Sequence, residues 1–210
     1  MARLCRVAAR QRATLLHVST DYVFDGTAAE HDEDEPFAPL GVYGQTKAAG
    51  DALVAQLARH YIVRTSWVIG EGRNFVRTMA ELAAKGVSPT VVGDQYGRLT
   101  FTTDLAAGIV HLLTAGAPWG TYNLTNTGPV QTWAEIAADV FELSGRDRAD
   151  VTPITTAEYS AGKLVSPRPA HSALRLDKLA ATGFVPPPAA DRLRSYLAGL
   201  DGTTPRPIPR

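Results

Sequence analysis

Apolar positions along this chain alternate between short unbroken runs and longer stripes at helical spacing. Leu15-Leu16-His17-Val18, Tyr61-Ile62-Val63-Arg64, Thr90-Val91-Val92 and Thr121-Tyr122-Asn123-Leu124 are the short runs. Runs of this length predict strands, and the first, over 14–18, reads as a fully buried strand of a parallel sheet. Between them the spacing predicts helices over Ala2–Arg10 and over 42–60, where Ala48, Leu53, Leu57 and Tyr61 recur near the helical period. A third helix, 74–85, sets Phe75, Met79 and Leu82 on one face, with Gly86 as its cap. A fourth, 103–114, is expected to be capped by Thr103 with Asp104 in its first turn. Thr132-Trp133-Ala134-Glu135 is a capping box that opens a fifth, over 132–143. From Val151 the chain is Pro-rich and irregular, with helices expected at 176–181 and 189–200 and a disordered tail over 201–210. Strand and helix alternate, so the predicted class is α/β with a mostly parallel sheet.

Composition narrows the picture. The 210 residues suit one domain or a domain with a small appendage, and 45% apolar content supports a core. Lys plus Arg (21) balances Asp plus Glu (21), which argues against a nucleic-acid partner. A single cysteine, Cys5, excludes an internal disulfide and a Cys-based zinc site. No apolar run approaches the roughly 20 residues of a membrane span, so a soluble, cytoplasmic protein is expected. Arg3, Arg6, Arg10 and Arg12, with no acid among the first twenty residues, resemble a transit peptide. The plainer reading is a basic helix leading into the first strand. Glu30-His31-Asp32-Glu33-Asp34-Glu35, inside the 21–40 loop, reads as a solvated charge run, with a metal site as the alternative.

Candidate chemistry gathers at strand ends. Tyr43 and Lys47 stand four residues apart on a helix, where their side chains share a face. An ammonium beside a phenol favours the phenolate and eases proton exchange. Alone, the pair is equally an exposed helix start. Thr20, at the end of the strand carrying His17-Val18-Ser19, lies at the sheet edge where ligands bind in open α/β folds. There a hydroxyl can donate to a substrate oxygen, or simply start a turn. Arg64-Thr65-Ser66-Trp67 reaches the same edge, and Trp67 can stack on a sugar or nicotinamide or belong to the core. His17 reads as a satisfied core histidine, and His171 is too isolated for a metal ligand. Arg168, stiffened between Pro167 and Pro169, suits a phosphate clamp or an ordinary surface role.

Assembled, these segments resemble the dTDP-4-dehydrorhamnose reductases of the extended short-chain dehydrogenase/reductase superfamily. The resemblance rests on Ser19-Thr20-Asp21-Tyr22-Val23-Phe24-Asp25-Gly26, on 39–47 ending in Tyr43-Gly44-Gln45-Thr46-Lys47, and on Arg64-Thr65-Ser66-Trp67. It continues through Asn74-Phe75-Val76-Arg77-Thr78-Met79, Asp94-Gln95-Tyr96-Gly97-Arg98-Leu99-Thr100 and Arg168-Pro169-Ala170-His171-Ser172. His171 and Leu99 stand where the family usually has Asn and Pro. The family's glycine-rich dinucleotide turn has no counterpart, since Gly41/Gly44 and Gly70/Gly72 each lack a third glycine. An incomplete Rossmann-type sheet with a bare edge and exposed apolar face is therefore expected.

The resemblance implies a partial NADP-binding region over 1–69, with 101–125 returning to it, and a smaller substrate-binding region over 70–100 and 126–200. It implies reduction of a dTDP-linked 4-keto-6-deoxy sugar with NADPH or NADH, Thr20, Tyr43 and Lys47 being catalytic. Tyr43, Lys47 and Ser66 would hold the cofactor, and Asp21, Trp67 and Arg168 the nucleotide-sugar substrate. Mg2+ and a homodimer are further expectations from the family alone. Related dehydratases follow Thr-Asp with Glu; Tyr22 in that slot favours reduction over elimination. A non-catalytic binding module, and another sugar-nucleotide reductase or epimerase, are the alternatives.

Overall fold

The computed structural model describes residues 1–201. Its helices are α1 (Ala2–Arg10), α2 (Val42–Val54), α3 (Phe75–Ala84), α4 (Thr102–Thr114), α5 (Trp133–Leu143), α6 (Thr156–Ser160), α7 (Asp177–Ala180) and α8 (Ala189–Asp201). The longer strands are β1 (Leu15–Thr20), β2 (His60–Thr65), β4 (Thr90–Val92), β7 (Gly120–Asn123) and β9 (Thr152–Ile154). Two-residue strands β3 (Val68–Ile69), β5 (Tyr96–Gly97), β6 (Thr100–Phe101) and β8 (Gln131–Thr132) complete the set.

β1, β2 and β7 form a parallel sheet in the order β1-β2-β7, with Thr20 opposite Thr65 at its C-terminal end. The central strand β2 is buried along almost its whole length. One face packs Tyr61, Val63 and Tyr122 against Leu112 of α4 and Leu179 of α7. On the other face Asp51 of α2 meets Arg64 of β2 at 3.1 Å and His17 of β1 at 3.3 Å. His17 therefore sits beside a buried carboxylate, but its Nε2 has no hydrogen-bond partner among the described residues, unlike the satisfied core histidine expected. The expectation of a fully buried first strand fails: β1 has one strand neighbour, and Val18 is 40% exposed.

A second core joins Val76 and Met79 of α3, Val140 and Phe141 of α5, and Leu193 and Leu197 of α8. Its helices start where the polar residues dictate: Asn74 accepts the Arg77 N–H at 3.0 Å, and Thr132 and Glu135 close the foreseen capping box. Gly86, at φ 72°, ends α3 in the conformation expected of it. The two cores are joined by Asp104, which is buried in the first turn of α4 and takes Arg192 of α8 in a two-pronged pair at 2.6–3.0 Å. Asn126 donates to the same carboxylate at 2.7 Å and accepts the Phe101 N–H at 2.8 Å.

Several local expectations are corrected. The second helix stops at Val54 rather than 60, because His60 is already paired with Leu15 in the sheet. α4 begins after Phe101 without a side-chain cap, and Thr103 lies inside it. The acidic run is solvated only in part, Glu30, Asp32 and Asp34 being exposed. His31 and Glu33 are buried, His31 bonding Glu35 at 2.9 Å while Glu33 accepts the Asn123 N–H at 2.9 Å. Within the irregular stretch after Val151, β9 pairs with β4 and a second capping box, Thr155 with Glu158, starts α6. Residues 202–210 of the expected tail lie outside the described residues.

Candidate functional site

At the C-terminal end of the parallel sheet a cleft of about 490 Å³ is lined by Thr20, Asp21, Tyr43, Lys47, Ser66 and Trp67, among others. Six of the seven predicted site residues thus meet in one place. β1 delivers Thr20, whose side chain caps a short 3-10 turn, Asp21–Val23, by accepting the Tyr22 N–H at 3.2 Å. Its hydroxyl donates to Asp21 Oδ1 at 3.0 Å. Asp21 is 3% exposed and its Oδ2 has no hydrogen-bond partner among the described residues. Burial pushes its carboxyl up to about 6, against the opposing pull of the Ser172 and Thr20 hydroxyls.

α2 delivers Tyr43 and Lys47 in its first two turns. The helix start lies so close to the 3-10 turn that a Cβ on Gly44 would run into the Tyr22 carbonyl oxygen. Tyr43 stands edge-on to Tyr22, ring centres 5.6 Å apart, and is 56% exposed, its phenol turned to the cleft with no protein partner among the described residues. Lys47 donates to the Val18 carbonyl at 2.6 Å, which fixes its charge at the edge of β1. Burial raises the Tyr22 phenol above its usual range, while the nearby Arg168 charge opposes the shift.

Ser66 is buried, its hydroxyl reaching the Arg98 carbonyl at 3.4 Å. Trp67 stands at φ 47°, a left-handed conformation that a bulky residue adopts only when its surroundings enforce it. Here the indole stacks on Trp133 at 3.8 Å and lies against Gly97, where a Cβ would stand 2.8 Å from the ring. Trp67 therefore serves both readings open in the sequence, as part of the packing and as a wall of the cleft.

Arg168 is not in that cleft. It lines an adjoining cavity of about 800 Å³ whose walls include Phe75, Met79, Gln95, Trp133 and Tyr159. Trp133 borders both spaces, so they adjoin, one lined by hydroxyl, phenol and ammonium and the other by an apolar slot. Sequence reasoning gave no site role to Trp133, named only within the capping box, or to Gln95, named only within a segment of the family resemblance. Among the described residues no group of three or more His, Cys, Asp or Glu could hold a metal ion, and no helix is long and apolar enough to cross a membrane.

The RmlD substrate binding domain family matches residues 1–201. This chain belongs to that family. Among its relatives, a probable dTDP-4,6-dihydroxy-2-methyloxan-3-one 4-ketoreductase from Streptomyces antibioticus is 41% identical over 84% of the chain. A dTDP-4-dehydrorhamnose reductase from Streptomyces griseus is 38% identical over 100% of it. The chain spans 59% of the first relative's length and 69% of the second's. Among solved structures, the dTDP-4-dehydrorhamnose reductase of Bacillus anthracis, in complex with NADP, superposes with a TM-score of 0.84 at 33% identity. That match covers 95% of this chain and 70% of the other, and it establishes the α/β fold with a Rossmann-type parallel sheet.

Proposed function

We propose that this RmlD-family chain carries the substrate groove and proton-delivering residues of an NADPH-dependent reductase acting on a dTDP-linked 4-keto-6-deoxy sugar, converting dTDP-4-dehydrorhamnose to dTDP-L-rhamnose. The observation that carries this reading is the pair of cavities that adjoin at Trp133. Thr20, Tyr43 and Lys47 line the polar one with Trp67 and Trp133, and Arg168 lines the apolar one beyond. The names of the relatives and the NADP in the Bacillus anthracis structure support it.

The donors suit a nicotinamide ribose. Tyr43 offers a free hydroxyl, and Lys47 uses one N–H on Val18 and keeps two. When bound, the reduced nicotinamide supplies the hydride. The chain's own residues handle the proton and the charge. Tyr43 would hold its proton toward the sugar oxygen that becomes an alkoxide and release it there. Lys47, pinned on the sheet edge, would place a positive charge beside the developing negative one. Thr20 would turn its hydroxyl from Asp21 to the same oxygen. Ser66 would lie under the cofactor, Asp21 and Trp67 would contact the sugar, and Arg168 would take the diphosphate. The cofactor side would be 1–69 with 101–125 and the substrate side 70–100 with 126–200. The open edge of β1 favours a second reading, a binding module whose chemistry needs strands from elsewhere.

Titration with dTDP, followed by tryptophan fluorescence, tests the groove. Trp67 and Trp133 are two of the three tryptophans and both line it, so saturable quenching is expected. Arg168→Ala should weaken it about tenfold through loss of a charged contact. Unchanged emission up to millimolar dTDP from a folded sample would overturn the reading.

A further inference from the structure

Gln95 lies in the turn between β4 and β5, 6% exposed, with one side against the apolar cavity. Its amide orientation is set by a chain of hydrogen bonds with one possible direction. Asp94 receives the Thr156 N–H at 2.8 and 2.9 Å and the Thr156 hydroxyl at 2.6 Å. A carboxylate can only accept there, so the single hydroxyl proton of Thr156 is committed to Asp94. The Thr156 oxygen must then accept, and it does so from Gln95 Nε2 at 3.0 Å. The amide cannot turn over without setting two acceptors against each other. Its Oε1 accepts no hydrogen bond among the described residues, and Gln95 lines the cavity. An amide oxygen held on a cavity wall with no protein donor is free to accept one from a ligand.

The neighbouring walls say what kind of ligand. Phe75, Met79 and Trp133 make an apolar slot suited to a flat ring, with the Arg168 guanidinium on the same cavity. We propose that Gln95 selects the base of the bound nucleotide, its Oε1 accepting the ring N–H of an imide pyrimidine, thymine or uracil. The proposal rests on the groove being a nucleotide-sugar site. Cytosine seated in the same way turns the lone pair of its N3 toward Oε1 and is rejected, because a site built for a donor leaves its acceptor unpaired when that donor is missing. Thr156 is the positioning residue, acting on the base only through the amide it holds.

Calorimetric titration of the chain with dTDP and with dCDP tests this. The wild type should bind dTDP at least tenfold more tightly. Gln95→Leu should weaken dTDP about tenfold and leave dCDP unchanged. Thr156→Val frees the amide to turn, so dCDP should tighten and the gap shrink; this variant also carries the test if Gln95→Leu fails to fold. Equal affinity of the wild type for the two nucleotides, or a gap that survives both substitutions, overturns the role of Gln95 alone. Binding of neither nucleotide by folded wild type overturns the nucleotide-sugar reading and the selection built on it.

Discussion

Asp21 shows how far its surroundings decide what a side chain can do. It follows the strand-end threonine in the sequence, and nothing local distinguishes it from a turn aspartate. In the fold it is enclosed, with one oxygen on Thr20 and the other unpartnered, and its carboxyl rises from 3.8 to about 6. A folded-state value above the unfolded one means that the native protein holds its proton more tightly. Stability tied to this group is therefore complete below about pH 4 and declines as pH rises through 6. Asp21→Asn removes that loss, so at pH 8 the variant should exceed wild type by up to about 3 kcal/mol in urea unfolding, with little difference at pH 4. A constant difference across pH would contradict the burial of the Asp21 carboxyl. Trp67 is a second case, since its strained backbone and its stack on Trp133 depend on the missing side chain at Gly97. Gly97→Ala should displace the indole and cost about 1–3 kcal/mol, read as a lower Tm.

Elements whose ends are set by neighbouring residues were legible in the chain. α1 runs Ala2–Arg10 as the pattern predicts, and α5 starts on its capping box. α2 was not legible at its end, because Ala55, Gln56 and Leu57 all suit a helix and only the pairing of β2 with β1 stops it. Part of the 21–40 loop was misjudged for the same reason: Glu33 and His31 count as solvated until Asn123 and His171, distant in sequence, bond them. The same distance rule explains the site. Thr20, Tyr43 and Lys47 announce themselves by strand end and helix spacing, whereas Trp133 and Gln95 acquire roles from partners far along the chain. α2 itself is seated by Asp51. Burial opposes the ionised form, yet His17, Ser19 and Arg64 together hold its carboxyl below the usual range. Asp51→Ala leaves the Arg64 charge buried and unpaired and should cost about 3–5 kcal/mol by denaturant unfolding. Loss of under 1 kcal/mol would show that the pair does not hold the helix on the sheet.

Over the whole molecule, two cores are tied together by Asp104, Arg192 and Asn126. The sheet is covered at its centre, and β1 pairs on one side only, the bare edge that the sequence led one to expect. Amides of β1 that face away from β2 should therefore exchange with solvent far faster than those of β2, by hydrogen-exchange mass spectrometry or NMR. Equal protection of both strands would show that the edge is covered in solution. The central claim, that this groove reduces a keto sugar with Tyr43 as proton donor, is tested most directly by NADPH oxidation at saturating dTDP-4-dehydrorhamnose. The wild-type chain should consume NADPH only when the sugar nucleotide is present, and Tyr43→Phe, with an unchanged Tm, should lose at least about a hundredfold in rate. A Tyr43→Phe rate equal to wild type, or no turnover by a folded wild-type chain, would contradict it.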